Sequence, residues 1–579
     1  MKKFANIFIS AALAVSAGSC AFLDQDPTII RKDDYYSTKE ELTGAIAGVY
    51  GAMSNEALYG NYYSLMMTNI DDLSYFNRST TTVPLQMNRH DASSSEIYAA
   101  WTQLYAGVRN ANALISATVD SQIEGAASIN AEARFLRAYY HFLLAQAWGD
   151  VPLRSIEAKT YADVQLGATP QYEVLKWAAD EMEDCIGKVE NSINDQPSRI
   201  SDYTIHGILS RVYLFMAGAS VIFPDGATLS KKDCYGKAMD HADAVISSDL
   251  FHLNEDYSAV FKNMISNKYD REYRESMWEV EFQGDRTSAD SWSNGRIGDL
   301  IGLLSTGSSD YENFKCNYSY AQYNGSLKLW DLYLSADKVV AEKDKLNDKR
   351  QDWNMPPYNY AGSEKAAPFG VGGVGVCRAS IDKTPYGSIS INSETGVVTD
   401  KTTTVDPTAA PAVRNCGKYR REVEFEGVMK AKNLYTKINY PLLRYSDVLL
   451  MYAEAANEYE GAPSQQAYDA LVEVRDRAGI STAAYSTFDA VAFRSIVRNE
   501  RARELCFESL RRFDLIRWGI YVQEMNEYST WAADSRWEKD NTSKIASAMG
   551  TSVHQRHIYF PIPAVELGVN NKLEQNKLW

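Results

Sequence analysis

Residues 131–153, AEARFLRAYYHFLLAQAWGDVPL, decide the fold. Phe135, Tyr139, Phe142 and Leu143 recur at helical spacing, and Leu136 and Ala147 widen the stripe, so one face of a helix here is built for burial. Ala131, Ala138 and Ala145 follow one another at intervals of seven and make a second, flatter strip on which another helix can lie close. Gly149 tolerates a left-handed cap and Pro152 has no amide to continue the ladder, so the helix is predicted to stop there. A helix with two apolar faces belongs inside a stack of helices.

The neighbouring segments read as that stack. Ser37-Thr38 with Glu40 and Glu41 offers a capping box for a helix burying Leu42, Ile46, Val49 and Tyr50. Ile97, Trp101, Leu104, Tyr105, Val108 and Ile115 mark the next helix, and the same periodicity returns over 171–190, 203–219 and 232–247. Consecutive amphipathic helices joined by short turns predict a mainly α fold, a degenerate tetratricopeptide-like helical-repeat scaffold. Between about 250 and 440 the texture changes. Residues 278–282, WEVEF, alternate like a strand, one helix is expected from Leu327 to about Lys345, and 370–411 reads as irregular loop with at most one hairpin. Helical texture resumes at Ser446, with a partner helix around Tyr468–Ala478, a long helix from about Phe488 to Leu510, and an extended Phe560-Pro561-Ile562-Pro563 before a last turn. Because both ends share one texture, the expectation is one domain: a helical scaffold over about 37–250 and 444–579, with a large loop-rich insertion containing short strands over about 251–443. Two independent domains are the alternative.

Lys2 and Lys3, the apolar run Ile7 to Val15 and the small residues after it read as a secretory signal peptide over 1–19. The net charge of −16 repels nucleic acid, and no basic stripe reverses it locally, so no nucleic-acid partner is expected. Beyond Cys20, the six remaining cysteines form no CxxC pair and are too scattered for a metal cage.

Several motifs touch on chemistry without completing it. Residues 370–375, GVGGVG, match a dinucleotide fingerprint in letters only, since that motif works where a strand feeds a helix and the flanks here are Ala, Pro and Phe before and Cys-Arg-Ala-Ser after; a flexible loop is the better reading. His554 and His557 could share a metal, yet no third ligand is near. Glu279 and Glu281 sit two apart on a strand, roughly 6.6–6.8 Å by strand rise, which overlaps the separation of an inverting glycosidase but is met by any E-x-E strand. The charges of Asn499 to Gly519 fall into ordinary helix pairs, Glu500 with Arg503 and Glu508 with Arg511 or Arg512, and read as architecture. No catalytic residue, metal or cofactor is expected. The positive signal is aromatic: Trp292, Tyr311, Tyr318, Tyr320 and Tyr323 stand among Ser, Asn, Gly and Asp, as rings that stack on the C–H face of a sugar do.

The stretch 131–153, together with RYSDVLLMYAEAANE (444–458), NERARELCFESLRRFDLIRWG (499–519) and YFPIPAVEL (559–567), closely resembles signatures of the SusD/RagB family, nutrient-capturing surface lipoproteins, in the family's order. The resemblance implies a cell-surface lipoprotein that binds an oligosaccharide or polysaccharide and passes it to a SusC-like TonB-dependent outer-membrane transporter, with no enzymatic step. Ser16-Ala17-Gly18-Ser19-Cys20 looks like a lipobox, which makes Cys20 the acylated first mature residue and anchors the protein to the cell outer membrane by lipid alone. In the family the ligand contacts come from an early loop and the middle insertion. That carries Asp72, Tyr75, Asn77 and Arg78 over as contacts beside the aromatic group. A peptide-binding relative of the RagB type and a secreted glycoside hydrolase are the rival readings.

Overall fold

The computed structural model describes residues 35–78, 83–191, 195–282, 293, 295–304, 319–335, 348–356, 414–421, 434–531 and 541–579, together with the short strands at 358–360, 368–369, 376–380, 389–391 and 398–400. The signal peptide, Cys20, Trp292, Tyr311, Tyr318 and the glycine run 370–375 lie outside the described residues.

In chain order the helices of the first half are α1 (Lys39–Tyr50), α2 (Ser95–Thr118), α3 (Ala126–Trp148), α4 (Tyr161–Val164), α5 (Gln171–Glu183), α6 (Asp202–Met216), α7 (Lys231–Ile246) and α8 (Tyr257–Ile265). Two wide turns at Glu56–Gly60 and Tyr62–Met67 and the strand β1 (Ser74–Phe76) separate α1 from α2. Thr38 and Glu41 close the capping box that starts α1. Long α-helices pack as successive neighbours, α2 on α3, α3 on α5, α5 on α6 and α6 on α7, so the scaffold is a helical stack. At its centre α3 is buried on every side: Ala131, Ala138 and Ala145 on the small strip, and also Glu132, Arg137, His141 and Gln146. Gly149, at φ +80°, ends α3 where a Cβ would meet the Tyr559 ring at 3.4 Å. The amide of Phe560 donates to Ala147 and the Trp148 indole to Pro561, so the extended tail seals the helix's end.

The strand β2 (Ser276–Val280) leads into the insertion, which holds β3 (Tyr323–Gly325), α9 (Leu327–Ser335), α10 (Lys349–Asn354), β4 (Tyr358–Tyr360), β5 (Pro368–Phe369), β6 (Val376–Ser380), β7 (Ile389–Ile391) and β8 (Val398–Asp400). It closes on β9 (Tyr440–Arg444), which pairs antiparallel with β2 in the register Glu279↔Pro441 and Val280↔Tyr440. The insertion therefore leaves and rejoins the scaffold through one two-stranded seam. Where the sequence predicts at most one hairpin, β6 pairs with both β4 and β5, and β7 with β8.

The chain then forms α11 (Tyr445–Glu460), α12 (Gln465–Arg477), α13 (Ala490–Leu505), α14 (Arg511–Arg517), α15 (Tyr521–Trp531), α16 (Asn541–Thr551) and α17 (Ala564–Val569). Helix α11 packs on α7, so the second half continues the stack begun by the first, and one apolar core runs from Leu42 to Leu573. The long helix expected from Phe488 to Leu510 stops short at Leu505, and the chain turns before α14 begins at Arg511. Phe507 and Ser509 take positive φ of 66° and 60°, and the Ser509 hydroxyl, held to Ser64 O at 2.6 Å, fixes the corner. This corner turns Glu508 away from Arg511 and Arg512 and toward Arg444 (2.8 Å) and Lys418 (2.6 Å), correcting the pairing read from helical spacing; Glu500 does meet Arg503, at 2.6 Å.

Candidate functional site

The early loop and the insertion meet as strands. β1 pairs antiparallel with β3 in the register Ser74↔Gly325, Tyr75↔Asn324 and Phe76↔Tyr323. Beyond the ladder, Asn77 donates from its backbone to Gln322 O at 2.8 Å and from its side-chain amide to Ala321 O at 3.0 Å and Asn324 Oδ1 at 2.7 Å. Arg78 donates to Tyr320 O at 2.6 Å and to the Asn77 side chain. Asn77, Arg78, Tyr320 and Tyr323 are thus brought together, about 240 residues apart in sequence for the Arg78–Tyr320 bond. Residues 296–300 complete the arrangement: Asp299 accepts from the amide of Tyr320 at 3.1 Å and pairs with Arg296 at 2.6 Å.

These elements frame a cleft of about 410 Å³, with Phe76 and Tyr323 toward its floor and Arg78, Arg296, Gln86 and Gln322 among its polar lining. Phe76 and Tyr323 meet edge to face at 5.6 Å between ring centres. Two buried side-chain carbonyls of the lining, Asn61 Oδ1 and Gln86 Oε1, have no hydrogen-bond partner among the described residues. A buried acceptor without a donor costs roughly 1–3 kcal/mol, which a ligand hydroxyl seated in the cleft would recover. The cleft thus combines apolar rings, guanidinium and amide groups with acceptors waiting for a donor.

Three of the expected contacts have structural partners instead. Asp72 is fully buried and ion-paired to Arg511 at 2.8 Å and Lys328 at 2.5 Å. Burial alone would raise its pKa, but those two cations hold it below the ordinary carboxylate range. Tyr75 is 1 % exposed and accepts from the Asn324 amide at 3.0 Å, while Tyr323, equally buried, donates to Leu65 O at 2.6 Å. These three hold the walls of the cleft rather than facing into solvent as free rings and carboxylates. Asn61, Gln86, Arg296 and Gln322 were not legible in sequence, because isolated polar side chains outside long helices and strands carry no periodicity.

Glu279 and Glu281 lie elsewhere. Both line a depression beside α1 with Tyr50 and Arg199. Glu279 is buried, accepts from Asn439 at 2.8 Å and is pushed up to about 7, chiefly by burial; Glu281 accepts the Tyr269 hydroxyl. His557 uses Nδ1 to accept the His554 amide at 2.9 Å in a short capped turn. Among the described residues no cluster of three or more His, Cys, Asp or Glu is placed to hold a metal, and no helix is long and apolar enough to cross a membrane.

Comparison with known proteins supplies the family. Residues 274–579, more than half of the chain, match the model of the SusD family, and residues 21–214 match one described as "Starch-binding associating with outer membrane". SusD-like protein P25 of Formosa agariphila is 23 % identical over 98 % of this chain and 97 % of its own length. A SusD homolog from Bacteroides thetaiotaomicron superposes with a TM-score of 0.76 at 23 % identity, covering 95 % of this chain and 98 % of that one. A structure described as a laminarin-binding SusD-like protein has a TM-score of 0.64 at 18 % identity, covering 94 % of this chain and all of the other. The protein is mainly α, built on a tetratricopeptide-like helical scaffold, and it belongs to the SusD family.

Proposed function

We propose that this protein is a cell-surface glycan-binding lipoprotein that captures oligosaccharides and delivers them to a SusC-like TonB-dependent transporter. The observation that carries the reading is the β1–β3 ladder, which joins the early loop and the insertion around one cleft with orphaned acceptors in its lining. Asn77, Arg78 and Tyr320 are the ligand-side residues we assign there, with Trp292, Tyr311 and Tyr318 as rings of the adjoining insertion. Asp72, Tyr75 and Tyr323 act as their supports. Sugar hydroxyls suit such a lining, and the laminarin-binding description of one structural neighbour supports the ligand class. Binding is non-covalent, with no catalytic step. Acylation of Cys20 after removal of residues 1–19 anchors the protein to the outer membrane. Residues 20–579 act as one domain, a reading supported by the continuous core from Leu42 to Leu573.

Isothermal titration of the mature protein against panels of neutral oligosaccharides and of peptides tests this. The expected result is heat from an oligosaccharide and none from peptides, with Arg78→Ala and Gln322→Ala each weakening binding about tenfold, or ~1.4 kcal/mol. Binding of peptides alone sinks the sugar assignment, and new reducing ends appearing on incubation with polysaccharide establish hydrolysis instead.

A further inference from the structure

A second depression, among the described residues, is larger than the cleft. A groove of about 1030 Å³ runs between α2 and the segment 153–166, with Glu566 at its edge. Its wall segment is held with unusual thoroughness. Tyr105 donates to Pro152 O at 2.8 Å, Asn112 donates to Arg154 O at 2.9 Å, the Arg154 amide donates to His141 Nε2 at 3.1 Å, and Arg137 donates to Ser155 O. Side chains from two helices thus fix four backbone groups in succession, and the His141 ring is itself oriented by Arg137 O at 2.9 Å.

The product of this mounting is the Arg154 guanidinium. It lies over the Tyr105 ring, 4.4 Å from the ring centre, and among the described residues it has no ion pair and no hydrogen bond from its side chain. The buried guanidiniums of Arg350, Arg444, Arg501 and Arg517 are matched to carboxylates, whereas this half-buried one is held against a ring. Among the described residues Arg109 on the facing helix reaches Asn110, at 3.5 Å, and Lys159 forms no ion pair. The groove also carries three acids, Glu157, Asp163 and Glu566, of which Asp163 is occupied by the amides of Lys159 and Thr160 at 2.9 and 2.7 Å and Glu157 also has a partner, so the anion is directed to the Arg154 end. Tyr161, 73 % exposed, and Ile156, 74 % exposed, supply an apolar and aromatic rim.

We infer that this groove is a second ligand site, distinct from the β1–β3 cleft, that takes an anionic oligosaccharide. The Arg154 fork receives a sugar carboxylate or sulfate ester, Arg109 or Lys159 a second one along the chain, and Tyr161 a pyranose face, while Glu566 and Asn110 accept or donate to hydroxyls. A fixed guanidinium stacked on a ring loses little entropy on binding, and its planar donors match a carboxylate in two bonds.

Titration of the mature protein with a hexamer of galacturonic acid, its fully methyl-esterified form, a sulfated neutral hexamer and a glutamate hexapeptide tests the site. The expected result is binding of the acid hexamer that weakens with salt and is lost on esterification. It should fall at least tenfold in Arg154→Gln and in Tyr161→Ala, the latter an exposed position whose loss leaves the core intact. The sulfated hexamer binding in its place identifies the ester as the anion and supports the same site. A neutral hexamer whose binding falls in Arg78→Ala reports the cleft, and the acid hexamer whose binding falls in Arg154→Gln reports the groove, so failure of the cleft reading, on which this site does not rest, and failure of this one are separable. Binding that survives esterification, is indifferent to Arg154→Gln and Tyr161→Ala, is matched by the peptide, or is absent for both anionic hexamers overturns the proposal.

Discussion

Arg444 stands where the insertion rejoins the scaffold, and its guanidinium donates to Glu275 at 3.1 Å, Glu504 at 2.9 Å and Glu508 at 2.8 Å, all buried. Removing one member of such a set leaves the others desolvated and uncompensated, which costs more than the intact set contributes. Arg444→Ala is therefore expected to lower stability by about 3–5 kcal/mol in urea unfolding, and a loss under about 1 kcal/mol counts against this view of the network. The sequence marks Asn499 to Gly519 as architecture from its charge density, but it names the wrong partner for Glu508. Spacing rules see a carboxylate and an arginine one helical turn apart, whereas the corner at Phe507 hands Glu508 to a residue 64 positions away. Asp72 misleads in the same manner. In a polar loop it looks available, and only the tertiary fold brings Arg511 to it from 439 positions away.

At the scale of elements, the helices are legible because burial imposes a period, and the capping box at Thr38 and the stop at Gly149 sit where residue chemistry places them. The two wide turns after α1 are not legible, since Glu56–Gly60 and Tyr62–Met67 follow no regular repeat, and α8, nine residues long, is too short to stand out within the change of texture. The close approach of α2 to α3 depends on Gly107, where a Cβ would fall 2.6 Å from the Tyr140 ring. That ring cannot retreat freely, because its hydroxyl donates to Val49 O at 2.6 Å. Alanine gains up to about 1 kcal/mol over glycine within a helix, while overpacking costs about 1–3 kcal/mol. Gly107→Ala is thus expected to destabilise by roughly 1 kcal/mol net, read as a lower thermal midpoint, and an unchanged midpoint would show that the ring yields.

Across the whole molecule, buried carboxylates pull the pH dependence of stability two ways. Burial, reinforced for Asp71 by the charge of Asp72, pushes Asp71 and Glu279 up to about 7. Their contribution is full below about pH 4, where the unfolded groups are also protonated, and is lost as pH rises through about 7. Asp447 and Glu454, which burial alone would raise, are held down to about 2 by Arg501 and Arg211 and by Arg517 respectively, so their contribution is present above about pH 4 and fails as pH falls toward 2. The thermal midpoint should therefore peak near pH 4 and decline as pH rises to about 7, levelling off above that, with Glu279→Gln flattening the decline; an unaltered slope between about pH 4 and 7 in that variant contradicts the assignment. The joining of β1 to β3, and of Asp72 to Arg511, also bears on how the protein comes into being. On a growing polypeptide the first wall of the cleft is made early, meets β3 only past the middle of the chain and Arg511 only near its end. A product cut short between Lys328 and Arg511 keeps one cation on Asp72 and lacks the other, so that wall stays half braced until synthesis is nearly complete.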